Sequence, residues 1–279
     1  MPASAEASPF TMTQPGEKLG EYVRGIWTLE LPASITGQSE DPIVPDGCPE
    51  LIFNLGDPIH RAHSSGYDVH IRPQLAGQLT RAITLRPQGR VSIVGVRLHP
   101  WAMHALLGVG PRETRERIVP ADLAIGTSLT AALDAIDPAT DPGTFARALT
   151  CALTRHVANR PAPEPAATTV YRALRHSVGG DPDATVRSVA RTLGRSERQL
   201  QRVFEESVGI SPKMYLRLNR IQRTLRFAER HPEQSWSAIA ASCHFYDHSH
   251  LVRDMQRFAG CSPTEFDARA GVFTRSLVG

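Results

Sequence analysis

The chain has 279 residues, of which 41% are hydrophobic and 21% charged, and its formal net charge is +3. This length accommodates two domains with separate cores, and the composition excludes a wholly disordered chain. No run of 18 consecutive apolar residues occurs, so the sequence predicts neither a membrane-spanning helix nor a membrane partner. The four cysteines, Cys48, Cys151, Cys243 and Cys261, form no CxxC pair, which favours a reduced, cytoplasmic setting over disulfides or structural zinc.

Charge and proline content divide the chain into two parts. Residues 166–279 contain 17 Lys and Arg against 11 Asp and Glu, a net charge of +6, whereas the rest carries −3. This asymmetry indicates that the C-terminal part meets a polyanion. Three prolines within five residues predict an extended linker over residues 159–167, between domains at 17–158 and 168–279. Residues 1–16 lack the basic and apolar regions of a secretory signal, and we expect a disordered lead-in there.

The two parts differ in predicted secondary structure. Residues 22–31, 50–55 and 91–98 are β-rich runs separated by Gly and Pro, which predicts a small β-barrel-like domain. Helical patterns follow at 101–107, 123–136 and 145–157, and the second part reads as entirely helical. The sequence therefore predicts an α+β multidomain protein with an N-terminal barrel-like domain, trailing helices and an all-α C-terminal domain.

The helical part contains an internal repeat. Residues 189–212 align with 239–263, with matching apolar positions and a shared Gly-x-Ser-Pro ending. Each copy is predicted to be a helix, a tight turn and a second helix, about 184–209 and 235–260. A continuous helix over 212–230 connects the copies and, at 1.5 Å per residue, is about 28 Å long. The second helix of each copy would enter a major groove of DNA, and successive grooves lie about 34 Å apart.

The helical period assigns the DNA-facing side chains. In the first copy Ser196 suits the N-cap, and Arg198, Gln201 and Arg202 lie outside the predicted core. Arginine pairs with guanine and glutamine with adenine through two hydrogen bonds, so these are candidate base readers. The matching outward set in the second copy consists of His248, Ser249, Val252 and Arg253. On the connecting helix, Arg220 and Arg223 are candidates for phosphate contacts.

Residues 171–270 resemble the DNA-binding module of AraC/XylS-type transcriptional regulators. The family signature Gly-Phe-x-(Asp/Ser)-x-Ser-x-Phe-x-Arg-x-Phe appears over residues 244–258, followed by Gly-x-Ser-Pro at 260–263. His244 replaces the usual glycine, and Leu251 and Met255 replace aromatic residues. The resemblance implies a sequence-specific regulator that binds double-stranded DNA. A small-molecule effector, RNA polymerase and a second copy of the chain are candidate partners.

The N-terminal domain resembles an uncharacterised domain that precedes this module in some such regulators, over residues 45–54, 77–78 and 95–100. That resemblance implies no particular ligand. The residues that could line an effector pocket are Trp27, Asp46, Cys48, Glu50, Arg97 and Trp101. The alternative reading places Asp46, Cys48 and Glu50 in a turn before a strand, and the other three in core packing.

Catalytic and metal-binding signals are weak. His60, His63 and His70 are loosely spaced in a Pro- and Gly-rich region, which favours exposed loop histidines over a metal site. No GxSxG, Walker A, GxGxxG or HExxH motif occurs, so we predict no cofactor and no enzyme. The alternative is a DNA-binding module fused to an enzyme, either an Ada-like methyl acceptor or a metal-dependent barrel enzyme. The methyl acceptor would need a four-cysteine metal cluster, and the N-terminal domain offers only Cys48 and Cys151.

Overall fold

The structure is a computed structural model that describes residues 9–36, 40–63, 66–70, 73–123, 125–158 and 184–278, with a few isolated residues between 160 and 173. The expectations for residues 1–8 and for most of the linker lie outside the described residues.

The N-terminal half combines ten described strands with six helices. The strands are β1 (Phe10–Thr13), β2 (Val23–Leu31), β3 (Asp41–Ile43), β4 (Glu50–Asn54), β5 (Ile59–His63), β6 (Gly66–His70), β7 (Gln74–Ala76), β8 (Ile83–Pro87), β9 (Val91–Leu98) and β10 (Ile118–Pro120). The helices are α1 (Glu17–Gly20), α2 (Ala33–Thr36), α3 (Ala102–Leu107), α4 (Pro111–Thr114), α5 (Thr127–Asp134) and α6 (Pro142–Val157), with a 3₁₀ turn at Ala121–Leu123.

These strands form two antiparallel sheets that pack face to face. The larger has the order β1-β2-β9-β4-β7-β10 and the smaller the order β3-β8-β5-β6. The three strands predicted from sequence are β2, β4 and β9, which are consecutive neighbours in the larger sheet. An apolar cluster that includes Trp27, Leu29, Ile59 and Ile93 fills the space between the sheets. The predicted β-rich domain is therefore confirmed.

The expected disordered lead-in over residues 1–16 is wrong for residues 10–13. They form β1, an edge strand paired antiparallel with β2, with Met12 opposite Trp27. The Met12 side chain lies over Gly25, where a Cβ atom would be 2.1 Å from its terminal carbon. The short strand has one half-buried residue and three exposed ones, so its sequence gives little hydrophobic signal.

Helices cover the other face of the larger sheet. α6 packs against β2 and β9, and α1 and α5 contact α6. Leu149 and Leu153 of α6 are fully buried together with Val94 and Val96 of β9. A 16-residue amphipathic helix on a sheet buries one apolar face in this way, and Asp141 caps its N-terminus by accepting the Thr144 N–H at 2.9 Å.

The C-terminal half is helical in its described residues, as predicted. Its helices are α7 (Val186–Thr192), α8 (Glu197–Val208), α9 (Pro212–Arg230), α10 (Trp236–Ser242), α11 (His248–Phe258), α12 (Pro263–Arg269) and α13 (Val272–Val278). The connecting helix α9 has the bounds predicted from the sequence, whereas α12 and α13 were not predicted. Gly-x-Ser-Pro ends both copies in the same way and begins the next helix, because Ser211 caps α9 and Ser262 caps α12.

Candidate DNA-binding surface and effector site

The first helix-turn-helix unit is fixed by its turn and by its cap. Gly194 adopts φ = +61°, and the Arg195 N–H donates to the Ala190 carbonyl at 2.9 Å, which closes α7 in a Schellman motif. Ser196 then begins α8 with a capping box. Its Oγ accepts the Gln199 N–H at 3.2 Å while the Gln199 side chain accepts the Ser196 N–H at 3.0 Å. The structure thus places Ser196 at the predicted cap.

The second unit repeats this turn with a different residue at the left-handed position. His244 adopts φ = +58°, and the Phe245 N–H donates to the Ala240 carbonyl at 3.0 Å. Asp247 caps α11 by accepting the His250 N–H at 2.6 Å. Histidine in place of the glycine of the family signature therefore preserves the turn. The backbone at this position is strained, because a residue with a side chain is disfavoured at a positive φ.

The predicted base readers lie on exposed faces of α8 and α11. The exposed members are Arg198, Gln201, Arg202, His248, Ser249 and Arg253. Val252 is half-buried. The Gln201 side chain donates to Glu205 at 3.1 Å within its own helix. Leu200, Phe204, Leu251 and Met255 are buried on the opposite faces and fix the orientation of the two helices.

A basic face of α9 adjoins both candidate recognition helices. A cleft of about 570 Å³ separates α9 from the first unit, and the charged side chains that line it are Arg187, Glu197, Lys213, Arg217, Arg220 and Arg223. Gln201 of α8 lines the same cleft. Five cations against one acid make this cleft suitable for a phosphate backbone.

A buried acid ties α9 to α11. Asp254 is fully buried, and its carboxylate accepts hydrogen bonds from Arg217 at 2.5 Å and from Arg220 at 3.2 Å. The Arg220 guanidinium also lies 4.5 Å from the centre of the Phe245 ring. Burial, followed by the charge of Arg220, lowers the pKa of His250 beside this pair. Arg220 therefore has an internal role that its spacing did not reveal.

Tyr246 was not singled out from the sequence. It lies in the turn just before α11 and is 92% exposed, the largest exposed fraction among the exposed large hydrophobic side chains of the described residues. The N-terminal end of a recognition helix is the part that meets base edges. Position 246 is an unspecified residue of the family signature, so the motif gives no reason to select Tyr246.

Four of the candidate effector residues come together in one charged cluster beside the sheets. Arg97 Nε lies 2.6 Å from Glu50 Oε1 and 3.3 Å from Asp46 Oδ2. Cys48 is held by its N–H, which donates to Asp46 at 2.9 Å. Arg24, which sequence reasoning missed, lies 3.4 Å from the Cys48 sulfur and 3.9 Å from Asp46. Asp46 and Cys48 lie in the turn that precedes β4, and this turn also forms part of the candidate pocket.

Loss of hydration is the largest cause of the pKa shifts of Cys48 and Glu50 in this cluster. Burial raises the pKa of the Cys48 thiol to about 12, with the Asp46 charge adding to the effect. Burial also raises the pKa of Glu50, against the opposing effect of Arg97. A thiol held protonated is a poor nucleophile, which disfavours Cys48 as a methyl acceptor.

The cluster faces the DNA-binding half across a small cavity. This cavity, of about 130 Å³, is lined on one side by the charged cluster and on the other by Asn219, Gln222 and Arg226 of α9. Gln222 is buried and donates to the Val44 and Pro45 carbonyls at 2.8 and 3.1 Å. These α9 residues lie on a different face from the basic residues, so the same helix lines both the cavity and the DNA-binding cleft.

The two candidate tryptophans have different surroundings. Trp27 is buried between the sheets and lines an apolar cavity of about 90 Å³ that Glu50 also borders. Trp101 stacks on His99, with ring centroids 4.5 Å apart, and belongs to the core beneath the helices. The structure does not bring Trp101 together with the charged cluster, because its position after β9 turns it to the other face of the larger sheet.

Metal ligation finds no support within the described residues, which contain no group of three or more His, Cys, Asp or Glu suited to a metal ion. His60 lies on β5, with its ring 5.9 Å from that of Tyr67, whereas the side chains of His63 and His70 are outside the described set. In the described part of the chain, no helix is long and apolar enough to cross a membrane.

Two capped helix-turn-helix units joined by one basic helix define a DNA-binding protein of the double helix-turn-helix class. Residues 189–269 match the model of a helix-turn-helix domain, and residues 11–120 match a domain of unknown function, DUF6597. Residues 189–269 therefore form a helix-turn-helix domain of the AraC type, the DNA-binding domain of a class of transcription regulators. Regulators of this class generally act by binding rather than by catalysis.

Several solved structures are similar to the chain at low identity. ToxT from Vibrio cholerae is 9% identical with a TM-score of 0.48, over 88% of this chain and 98% of that one. The C-terminal domain of AraT from Geobacillus stearothermophilus is 22% identical with a TM-score of 0.34, over 38% and 90%. The AraC-like transcriptional activator CuxR is 16% identical with a TM-score of 0.24, over 77% and 86%. A comparison with curated proteins finds no match.

Proposed function

We propose that this regulator reads successive major grooves with α8 and α11 while the basic face of α9 binds the intervening phosphates. The observation that carries the proposal is the joint attachment of both recognition helices to α9, through the shared cleft and through Asp254. Arg198, Gln201 and Arg202 would read one half-site, and Arg253 with His248 and Ser249 the other. Because the reading helices and their exposed side chains are preformed, DNA binding requires no refolding of either unit.

The test separates base reading from phosphate contact. Full-length protein is titrated against a library of single-base operator variants at two salt concentrations. Arg198→Ala, Gln201→Ala, Arg202→Ala and Arg253→Ala should each relax preference at one position by about 1–3 kcal/mol. Arg223→Ala and Lys213→Ala should weaken all sequences alike and lower the salt slope by about one unit.

Two further variants make this test sharper. Arg155→Ala removes an exposed cation from α6 in the N-terminal half and serves as a charge-matched control that should change neither quantity. Tyr246→Ala should weaken binding, because the exposed ring lies at the entry of α11 into its groove. Uniform losses for all four candidate readers would overturn the assignment of these helices as sequence readers.

The charged cluster supports an effector role for the N-terminal domain. A small molecule that contacts Asp46, Glu50 or Arg97 would also touch α9, another face of which lines the DNA-binding cleft. Occupancy would thus alter DNA binding through the position of one helix. Thermal shift of the full chain against a metabolite panel, with Arg97→Met and the exposed Arg90→Ala as paired variants, tests this role. A ligand that stabilises both variants equally binds elsewhere.

The remaining partners follow from the DNA-binding role. We propose RNA polymerase and a second copy of the chain as protein partners, and the cytoplasm as the place of action because that is where the DNA partner lies. Sedimentation of the full chain with and without operator DNA tests the second copy.

A further inference from the structure

The C-terminal helix α13 lies beyond the matched helix-turn-helix domain, which ends at residue 269, and packs against the N-terminal half. It contacts β3 and α2, more than 230 residues earlier in the sequence. A helix of seven residues is too short to be stable alone in water, so its structure depends on these contacts.

An aspartate of the N-terminal sheet anchors the start of this helix. Asp41 of β3 is 1% exposed, and its Oδ1 accepts the Gly271 N–H at 2.7 Å and the Thr274 hydroxyl at 3.0 Å. It thereby caps α13 from another domain and places a carboxylate at the positive end of the helix. Gly271 is required for this approach, since a Cβ atom there would lie 2.6 Å from the same oxygen.

The apolar face of α13 closes the space between the two sheets. Phe273 is 3% exposed and belongs to the inter-sheet cluster with Trp27, Ile59 and Ile93. Phe273 and Leu277 both line the 90 Å³ apolar cavity, and Leu277 also lines the cavity beside the charged cluster. A cavity of about 150 Å³ is needed to hold a benzene-sized molecule. The space under α13 is too small for an aromatic effector while these side chains are in place.

We propose that α13 is a latch, in which Phe273 and Leu277 occupy the place of a compact apolar effector between the sheets. Such an effector enters by displacing these side chains, and the Asp41 cap then releases the helix. Since α13 follows α12 directly, release frees the DNA-binding half from one of its attachments to the N-terminal half. The proposal rests on the effector role of the N-terminal domain stated above. It places an apolar part of the effector between the sheets, in a cavity that shares Glu50 and Leu277 with the one beside the charged cluster, and adds the means of its coupling.

The anchor is tested by hydrogen–deuterium exchange in the full chain. Asp41→Ala should raise the exchange rates of amides 271–278 at least tenfold, because the cap that protects them is lost, whereas Asp41→Asn, which keeps an accepting oxygen, should raise them less. Asp68→Ala, on β6 of the same sheet, is the matched control and should leave those amides protected. Unchanged exchange in both Asp41 variants would overturn the latch.

The cavity is tested with the uncharged apolar probe N-phenyl-1-naphthylamine. Phe273→Ala should bind the probe at least tenfold more tightly than the wild type, whereas Val272→Ala, 42% exposed in the wild type, should not differ from it. A chain ending at Ala270 should show the same gain, and circular dichroism melts verify that each variant folds. Saturating probe should also deprotect amides 271–278 of the wild type.

Two results would overturn the competition between probe and helix. These are equal probe affinity in the Phe273→Ala and Val272→Ala variants, and wild-type exchange that saturating probe leaves unchanged. DNA binding is measured on the same samples. If the wild-type chain binds no DNA, the proposed DNA-binding function is contradicted, but the exchange and probe results still test the latch. Normal DNA binding together with negative probe results contradicts the latch alone.

Discussion

At the scale of single residues, Asp254 combines a structural and a functional position. It is fully buried, yet the two arginines that it holds are 29% and 20% exposed at the edge of the DNA-binding cleft. A buried carboxylate costs hydration free energy that only good partners offset. Here the partners come from the connecting helix, so the same ion pairs that satisfy Asp254 also fix α11 against α9.

We expect Asp254→Asn to lower the free energy of unfolding by about 2–3 kcal/mol. This is less than the 3–5 kcal/mol typical of a fully buried pair, because the partly exposed arginines regain water. Chemical denaturation with circular dichroism provides the measurement. Asp247→Asn is the matched control, since asparagine caps helices as well as aspartate and should change the stability by less than about 0.5 kcal/mol. Equal effects of the two substitutions would contradict the role assigned to Asp254.

Glu50 gives the charged cluster a pH dependence. Because burial raises its pKa in the folded state, the folded protein holds the proton more tightly than the unfolded chain. Its contribution to stability is therefore fully present below the ordinary glutamate pKa, about 4.3, and is lost as the pH rises through the folded value.

We expect the wild type to lose unfolding free energy relative to the Glu50→Gln variant as the pH rises through this window. Urea denaturation at a series of pH values from 4 to 8 measures the difference, with Glu30→Gln on the exposed face of β2 as the control. A difference that stays constant with pH would mean that burial does not raise the pKa of Glu50.

At the scale of elements, the two helix-turn-helix units are the same structure built on two sequences. Gly194 and His244 occupy equivalent turn positions with φ values of +61° and +58°, and the hydrogen bonds around them match. Only glycine adopts this conformation without a steric cost, which is about 1–2 kcal/mol for other residues. The second unit therefore carries backbone strain that the first does not.

His244→Gly should stabilise the protein by about 1 kcal/mol, and Gly194→Ala should destabilise it by a similar amount. A Cβ atom at position 194 meets no other atom within 4 Å, so the second change tests the backbone conformation alone. Thermal melts of both variants provide the measurement. A destabilising His244→Gly would show that the histidine side chain contributes more than its backbone costs.

The helices of the DNA-binding half were predictable because their signals are local. Caps, a 3.6-residue apolar period and the repeat defined α7 to α11, and the same period selected the exposed faces. β2, β4 and β9 were predictable because they lie in the middle of a sheet and are rich in buried apolar residues. Polar strands such as β5 and β6 have no comparable period. α12 and α13 are as short as α7 and α10, but they lie beyond the second copy, so the repeat gives no support to their prediction.

At the scale of the whole molecule, the two halves share one core. A single apolar cluster includes Val44 and Leu51 from the N-terminal half together with Phe204 and Leu218 from the helix-turn-helix half. The Tyr215 ring lies under the turn at Gly47, where a Cβ atom would be 3.1 Å away. The sequence predicted buried residues in each half but not the contact between the two halves. Contacts between residues that are distant in the sequence leave no periodic pattern. Arg24, which contacts Asp46 and Cys48, and Gln222, which contacts Val44 and Pro45, therefore could not be assigned to the site beforehand.

Gln222 tests whether this contact makes the chain unfold as one unit. Gln222→Leu keeps an apolar contact but leaves the Val44 and Pro45 carbonyls without their donor, which costs about 1–3 kcal/mol at the boundary between the halves. We expect the single calorimetric transition of the wild type to separate into two. Thr224→Val is the control, because the Thr224 hydroxyl is equally buried on α9 but bonds within its own helix, to the Arg220 carbonyl at 2.8 Å. One unchanged transition in the Gln222→Leu variant would mean that apolar packing alone joins the halves, and two transitions in the wild type would mean that the halves unfold independently.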